Sequence, residues 1–127
     1  IDFTMGVLFC SVALWIAAFD AMYGAQDEAF DRSQGLHSLA VTFGAHGAFQ
    51  ISRAMHVLSI ILFVFLGVMM DLAFPYYIGV GIAAGTLVYQ HRIASPTDFS
   101  RVTQMYFMRN GIVSIAIFVF TWISYLV

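Results

Sequence analysis

Four long apolar runs, separated by polar stretches, dominate the chain. They cover residues from about 3 to 22, 45 to 70, 74 to 89 and 102 to 127. About 20 apolar residues of helix, or slightly fewer, cross a bilayer. The runs are continuous rather than alternating, which predicts helices instead of strands. In lipid, only helices and closed barrels satisfy their own backbone. The pattern therefore predicts an all-α fold: a polytopic transmembrane bundle of about four helices. It forms a single domain over residues 1–127, with no internal repeat, low-complexity tract or domain boundary.

The connections differ in character. Residues 24–44 are long, polar and punctuated by glycine, and hold Asp27, Glu28 and Asp31. Residues 71–75 make a tight turn, because Pro75 favours a helix start over a continuation. Residues 91–98, HRIASPTD, read as a polar loop in which Asp98 caps the last helix. Arg32 lies in the first connection, Arg92 and Arg101 flank the third, and the second has no arginine. By the positive-inside tendency, the first and third connections are expected to face the cytoplasm.

Composition agrees with a membrane protein. The chain is 61% hydrophobic and 9% charged, with a mean hydropathy of +0.89, where a soluble domain carries roughly 25% charged residues. It has no lysine and a net charge of -2, which argues against a nucleic-acid partner. A single cysteine, Cys10, sits in an apolar run, so neither a disulfide framework nor a thiol metal site is expected. The chain begins at Ile1 without a basic region or a small-residue cleavage site, a poor match to a signal peptide. It is expected to be cut from something longer.

Candidate chemistry concentrates in DAMYGAQDEAFDRSQG, residues 20–35. If the first helix runs on through this stretch, Asp20, Asp27 and Asp31 fall within about 20° of one line, with Tyr23 and Gln34 beside it. Three carboxylates on one stripe repel one another where the dielectric is low, and a cation would relieve that. Magnesium prefers oxygen ligands and typically uses one or two carboxylates plus phosphates. Asp27 and Asp31 stand one helical turn apart, and Arg32 could add a charge-assisted contact to a phosphate. An ordinary solvated loop is the competing reading, and it suits Glu28 better than the aspartates. Asp20 ends an apolar run, where an acid is costly and usually functional.

These residues resemble a known pattern. DAMYGAQDEAFDRSQGLHSLAVTFG is similar to the second aspartate-rich motif of the UbiA-type membrane prenyltransferases, closest to the 4-hydroxybenzoate polyprenyltransferase branch. Asp20, Tyr23, Asp27, Asp31, Arg32 and Gly35 match it, followed by Ser38 and Gly44. LVYQHRIASPTDFSRVTQMYFMRNG resembles the family's later Tyr-x-His-Arg segment and Phe-x-x-Asn-Gly helix start, with Gln90 where that branch often has Glu. Together the two motifs span nearly the whole chain. No first aspartate-rich motif precedes them, since Asp2 is the sole acid before Asp20. The resemblance thus implies the C-terminal half of a nine-helix fold, with the isolated chain inactive.

The resemblance also implies a function: magnesium-dependent transfer of a polyprenyl group from an allylic diphosphate to an aromatic acceptor such as 4-hydroxybenzoate, in ubiquinone or menaquinone-type quinone synthesis. Asp27 and Asp31 would hold magnesium, and Asp20 would orient the acceptor or stabilise the allylic cation. Tyr23, Arg32, Arg92 and Asn110 are the implied substrate-binding residues. The expected place is the inner membrane of a bacterium, with the acidic motif toward the cytoplasm. The expected partners are the lipid bilayer and the missing N-terminal half.

Other polar residues have structural readings. Arg53 is expected to snorkel, His56 to bond between helices, and Asn110 to do the same or touch substrate. GIAAG, residues 81–85, reads as a small-residue packing face. The competing functional readings are a non-catalytic four-helix binding or assembly subunit and, more weakly, an ion conductor. Only one of the four helices carries an acid stripe, which disfavours the conductor.

Overall fold

Asp2 starts the first helix: its Oδ1 accepts the Met5 N–H at 2.9 Å, an N-cap that satisfies one of the free amides of the first turn. The computed structural model describes residues 2–93 and 110–127. Helix α1 spans Phe3–Gly24 and runs into a 3-10 turn at Ala25–Asp27 and a short α2 at Glu28–Ser33. Then come α3 at Leu39–Met69, α4 at Phe74–Ile93 and α5 at Asn110–Leu126. Among the described residues there is no strand. The four long helices are those expected. The start of the fourth predicted run, together with Asp98, Arg101 and Arg109, lies outside the described residues.

Three details of the helices refine the sequence reading. α3 starts earlier than residue 45 because Ser38 caps it, its Oγ accepting the Val41 N–H at 3.1 Å. It is two helices end to end, broken at Gly44 with φ 78° and ψ 165°, a backbone region open in practice to glycine alone. The unbroken membrane segment therefore begins at Ala45. α4 continues past residue 89 to take in His91 and Arg92, placed by the sequence in a loop. Cations in a last turn complement the helix dipole, and Ile93 packs against the cluster built on Phe19 and Met22.

The helices pair as α1 with α3 and α4 with α5, and α3 meets α4 less extensively. Serine hydroxyls set the α1–α3 register. Ser59 Oγ donates to the Ser11 carbonyl at 2.6 Å, and Ser52 Oγ to the Ala18 carbonyl at 2.7 Å. Such bonds hold apolar helices together where lipid is as greasy as their side chains. α4 meets its neighbours through small residues. A Cβ on Gly79 would fall 2.7 Å from Phe120 Cβ, and one on Gly67 of α3 would fall 2.5 Å from the Tyr76 ring.

The packing face of α4 carries Gly79 and Ala83, not the expected Gly81 and Gly85. Those two glycines point outward, with no described residue near their Cβ positions. Two residues of helix turn a side chain by about 200°, so the small-residue motif was placed on the wrong face.

The outer surface is apolar. Phe9, Phe74 and Phe118 are 72%, 75% and 70% exposed. α1 is apolar all round, as a membrane span is, and contiguous exposed apolar surface of this extent marks contact with lipid or protein. The chain is a helical membrane bundle.

Candidate functional site

The acidic stretch caps one end of the α1–α3 pair. Asp20 and Tyr23 belong to the last turns of α1, Asp27 closes the 3-10 turn, and Asp31 lies in α2. The uninterrupted helix assumed from the sequence is thus corrected. A 3-10 turn advances about 120° per residue rather than 100°, which rotates Asp27 and Asp31 away from the ideal line through Asp20. Asp27 and Asp31 keep their one-turn spacing, since Asp27 is the N-cap residue of α2.

Local chemistry explains why α2 is so short. Gly35 adopts φ 69°, the Leu36 N–H bonds the Asp31 carbonyl at 2.8 Å, and the Gly35 N–H bonds the Arg32 carbonyl at 3.3 Å. This pair of bonds is the Schellman arrangement that ends helices on a left-handed residue. Gly35 therefore earns its place in the motif through backbone conformation. Arg32 braces α2 from the other side: its Nη2 donates to Glu28 Oε1 at 2.9 Å and to the Val41 carbonyl at 3.0 Å. Glu28 was read as solvated, yet the Glu-to-Arg spacing of four on a helix was the signal for this pair.

Asp20 and Asp27 are exposed and Asp31 is half-buried. Among the described residues, none of the three forms an ion pair, and no three His, Cys, Asp or Glu side chains gather as a metal site. Two carboxylates one turn apart, without ion-pair partners among the described residues, still fit a hard cation that keeps several waters and takes further ligands from phosphate. Tyr23 is half-buried against the Phe19 and Met22 cluster. Arg92 is exposed in the last turn of α4, and among the described residues it forms no ion pair with the acidic stretch. Asn110 Oδ1 accepts the Trp15 indole N–H at 3.2 Å, an interhelical bond.

A second polar group lies between α1, α3 and α4. His56 is buried, with its Nε2 3.2 Å from the Trp15 carbonyl and its Nδ1 2.8 Å from His91 Nε2. The interhelical reading of His56 holds. Gln90, the residue before His91 in α4, is completely buried, and its amide atoms have no partner among the described residues. The sequence reading noted Gln90 only as a departure, although a polar residue inside an apolar helix is itself a signal.

Comparison with known proteins agrees with this architecture. The UbiA prenyltransferase family model matches residues 1–112. The 4-hydroxybenzoate octaprenyltransferase of Nitrosospira multiformis is 31% identical over 114 residues, covering 90% of this chain and 39% of that protein. That of Aeromonas hydrophila is 31% identical over 120 residues, covering 94% and 41%. That of Providencia stuartii is 28% identical over 120 residues, with the same coverage of 94% and 41%. The chain thus spans about two fifths of the length of these curated relatives. No solved structure matches it. With one family model running from its first residue through the acidic stretch to the start of α5, the chain belongs to the UbiA prenyltransferase family.

Proposed function

We propose that this chain is the C-terminal part of a magnesium-dependent polyprenyltransferase that transfers a prenyl group from an allylic diphosphate to an aromatic acid such as 4-hydroxybenzoate. The observation that carries this reading is the pair Asp27 and Asp31, one turn apart, the first exposed and the second half-buried, without ion-pair partners among the described residues. The names of the relatives supply the substrate class.

In this reading Asp27 and Asp31 hold the cation against the diphosphate. Magnesium, when bound, supplies a Lewis acid that draws charge from the departing diphosphate. Both of Arg32's contacts use Nη2, so its other guanidinium nitrogens are donors toward phosphate oxygens. Asp20, some two turns earlier on α1, orients the acceptor or stabilises positive charge on the allylic carbon. Tyr23 shapes that pocket, and Arg92 receives an acceptor carboxylate. By the positive-inside tendency these groups face the cytoplasm of a bacterial inner membrane, and the product serves quinone synthesis. The chain alone does not turn over, because part of the site lies in the N-terminal portion of the enzyme.

The test joins the remaining N-terminal part of the Nitrosospira multiformis relative to this chain and measures prenylation of labelled 4-hydroxybenzoate in membranes. Magnesium-dependent transfer is expected, with a loss of roughly 100-fold or more in Asp27→Ala and Asp31→Ala, the scale of removing a group that stabilises developing charge. Transfer that survives both changes and the removal of magnesium refutes the assignment and favours a non-catalytic binding or assembly subunit.

A further inference from the structure

Between α3 and α4 runs an open cleft of about 460 Å³. Its walls are Val57 and Ile61 from α3 and Ala84 and Val88 from α4. Val57, Ile61 and Val88 are 57%, 56% and 56% exposed, so the groove faces outward. His56 and His91, joined across it, close part of its floor. One end carries two cations, Arg53 on α3 and Arg92 on α4, both exposed.

The helices are antiparallel, so this groove has a direction. On each, eight residues separate the arginine from the farthest wall position, Ile61 on α3 and Ala84 on α4, which is about 12 Å of helix. The charged end is the end that carries the acidic stretch, because Ile93, next to Arg92, packs on the cluster built from Phe19, Met22 and Ala25. Yet among the described residues no acid lines the cleft. Among the described residues neither Arg53 nor Arg92 has a carboxylate partner, and the ion pair present is Arg32 with Glu28.

We propose that the α3–α4 cleft binds an anionic glycerophospholipid, its phosphate between Arg53 and Arg92 and one acyl chain along Val57, Ile61, Ala84 and Val88. Unpaired cations at the edge of hydrocarbon are costly, and an anionic headgroup is the counter-charge that a bilayer offers. Basic pockets between membrane helices bind such headgroups, and guanidinium groups suit phosphate oxygens. The volume favours a lipid tail over a protein helix: a helix about 10–12 Å across would fill it in roughly one turn. The carboxylate pair is no part of this site, but Arg92 is claimed both here and by the transferase reading, so the two assignments compete for that one side chain.

The test is retention of lipid by the full chain, released from nanodiscs of mixed phosphatidylcholine and phosphatidylglycerol and weighed by native mass spectrometry. One phosphatidylglycerol is expected to be kept in preference to phosphatidylcholine by roughly thirtyfold, about 1 kcal/mol for each of the two arginines near an anionic headgroup. Arg53→Gln with Arg92→Gln should bring the preference close to parity, while Arg53→Lys with Arg92→Lys should keep most of it. Ala84→Trp should abolish retention with both arginines intact, and circular dichroism checks that each variant is folded. Equal retention of the two lipids by the unaltered chain overturns the proposal. So does a preference that survives both the double Gln variant and Ala84→Trp. Displacement of the lipid by stoichiometric farnesyl diphosphate would also overturn it, assigning the groove to a prenyl substrate.

Discussion

His56 and His91 lie with Nδ1 and Nε2 2.8 Å apart, joining α3 to α4 at a level where Trp15 of α1 also takes part. A carbonyl can only accept, so His56 Nε2 donates to Trp15. With neutral rings, His56 Nδ1 then accepts from His91 Nε2–H, which leaves His91 Nδ1 as a bare lone pair. That atom is buried without a partner among the described residues, and the tautomers follow from the network. Interhelical bonds in membranes average about 0.6 kcal/mol and reach about 1.7. A double-mutant cycle with His56→Phe and His91→Phe should give a coupling within that range, measured by unfolding in detergent. A coupling of zero would show that the two rings are merely adjacent.

Gly67 and Gly85 should respond oppositely to alanine. A Cβ on Gly67 falls 2.5 Å from Tyr76 Cε1 and 3.0 Å from the Tyr77 hydroxyl. Tyr76 cannot swing away freely, because its hydroxyl donates to the Phe63 carbonyl at 2.6 Å. Gly67→Ala should cost about 1–3 kcal/mol, as overpacking does. Gly85→Ala meets no described residue and should be neutral or stabilising by up to about 1 kcal/mol. Thermal melts of the two variants in one detergent decide the matter.

The turn between α3 and α4 depends on one strained residue. Asp71 holds φ 52°, with the Leu72 N–H bonded to the Gly67 carbonyl at 2.9 Å and the Asp71 N–H to that of Val68 at 3.2 Å. This is the arrangement that ends α2, with aspartate in the place of glycine. Asp71→Val should destabilise by about 1–2 kcal/mol, because a branched Cβ crowds the carbonyl in the left-handed region, while Asp71→Gly should not. Equal melting temperatures for the two variants would contradict that.

The Arg32–Glu28 pair is largely solvent-exposed, with side-chain exposures of 57% and 29%. Its contribution to stability should be small, about 0.3–0.5 kcal/mol. Glu28→Gln should therefore leave the melting temperature nearly unchanged. In the transfer assay on the joined protein, freeing Arg32 should lower KM for the diphosphate with little change in kcat, the signature of a binding effect. A fall in kcat alone would place Glu28 in the chemistry instead.

Much of this architecture was legible because membrane helices announce themselves by length and apolarity. The run predicted to begin at residue 45 starts immediately after the break at Gly44. The acidic stretch was legible as chemistry because charge is rare in this chain. What escaped was whatever depends on rotation about a helix axis. In a helix apolar on every side, composition does not say which face packs, so Gly81 and Gly85 were preferred to Gly79 and Ala83. The 3-10 turn escaped for a related reason: nothing in Ala25, Gln26 and Asp27 forbids an ordinary helix, and tertiary packing of Ala25 in the Phe19 and Met22 cluster decides. Arg53 reads as a lone snorkelling cation in the sequence, and only the approach of α4 brings it into one cleft with Arg92.

The break at Gly44 has an electrostatic consequence. Because α3 is two helices, the long membrane segment has its own amino pole, with the first unpaired N–H groups at Ala45 and the residues after it rather than at Leu39. Ala45 packs beside Tyr23 and the cluster at the end of α1, where the carbonyl pole of α1 emerges. The two poles face each other with opposite partial charge, each worth about half an elementary unit. By the serine register the positive one is set level with Ala25, between Asp20 and Asp27, instead of at Leu39. A glycine chosen for its backbone angles thereby decides where along the bundle a carboxylate finds its field.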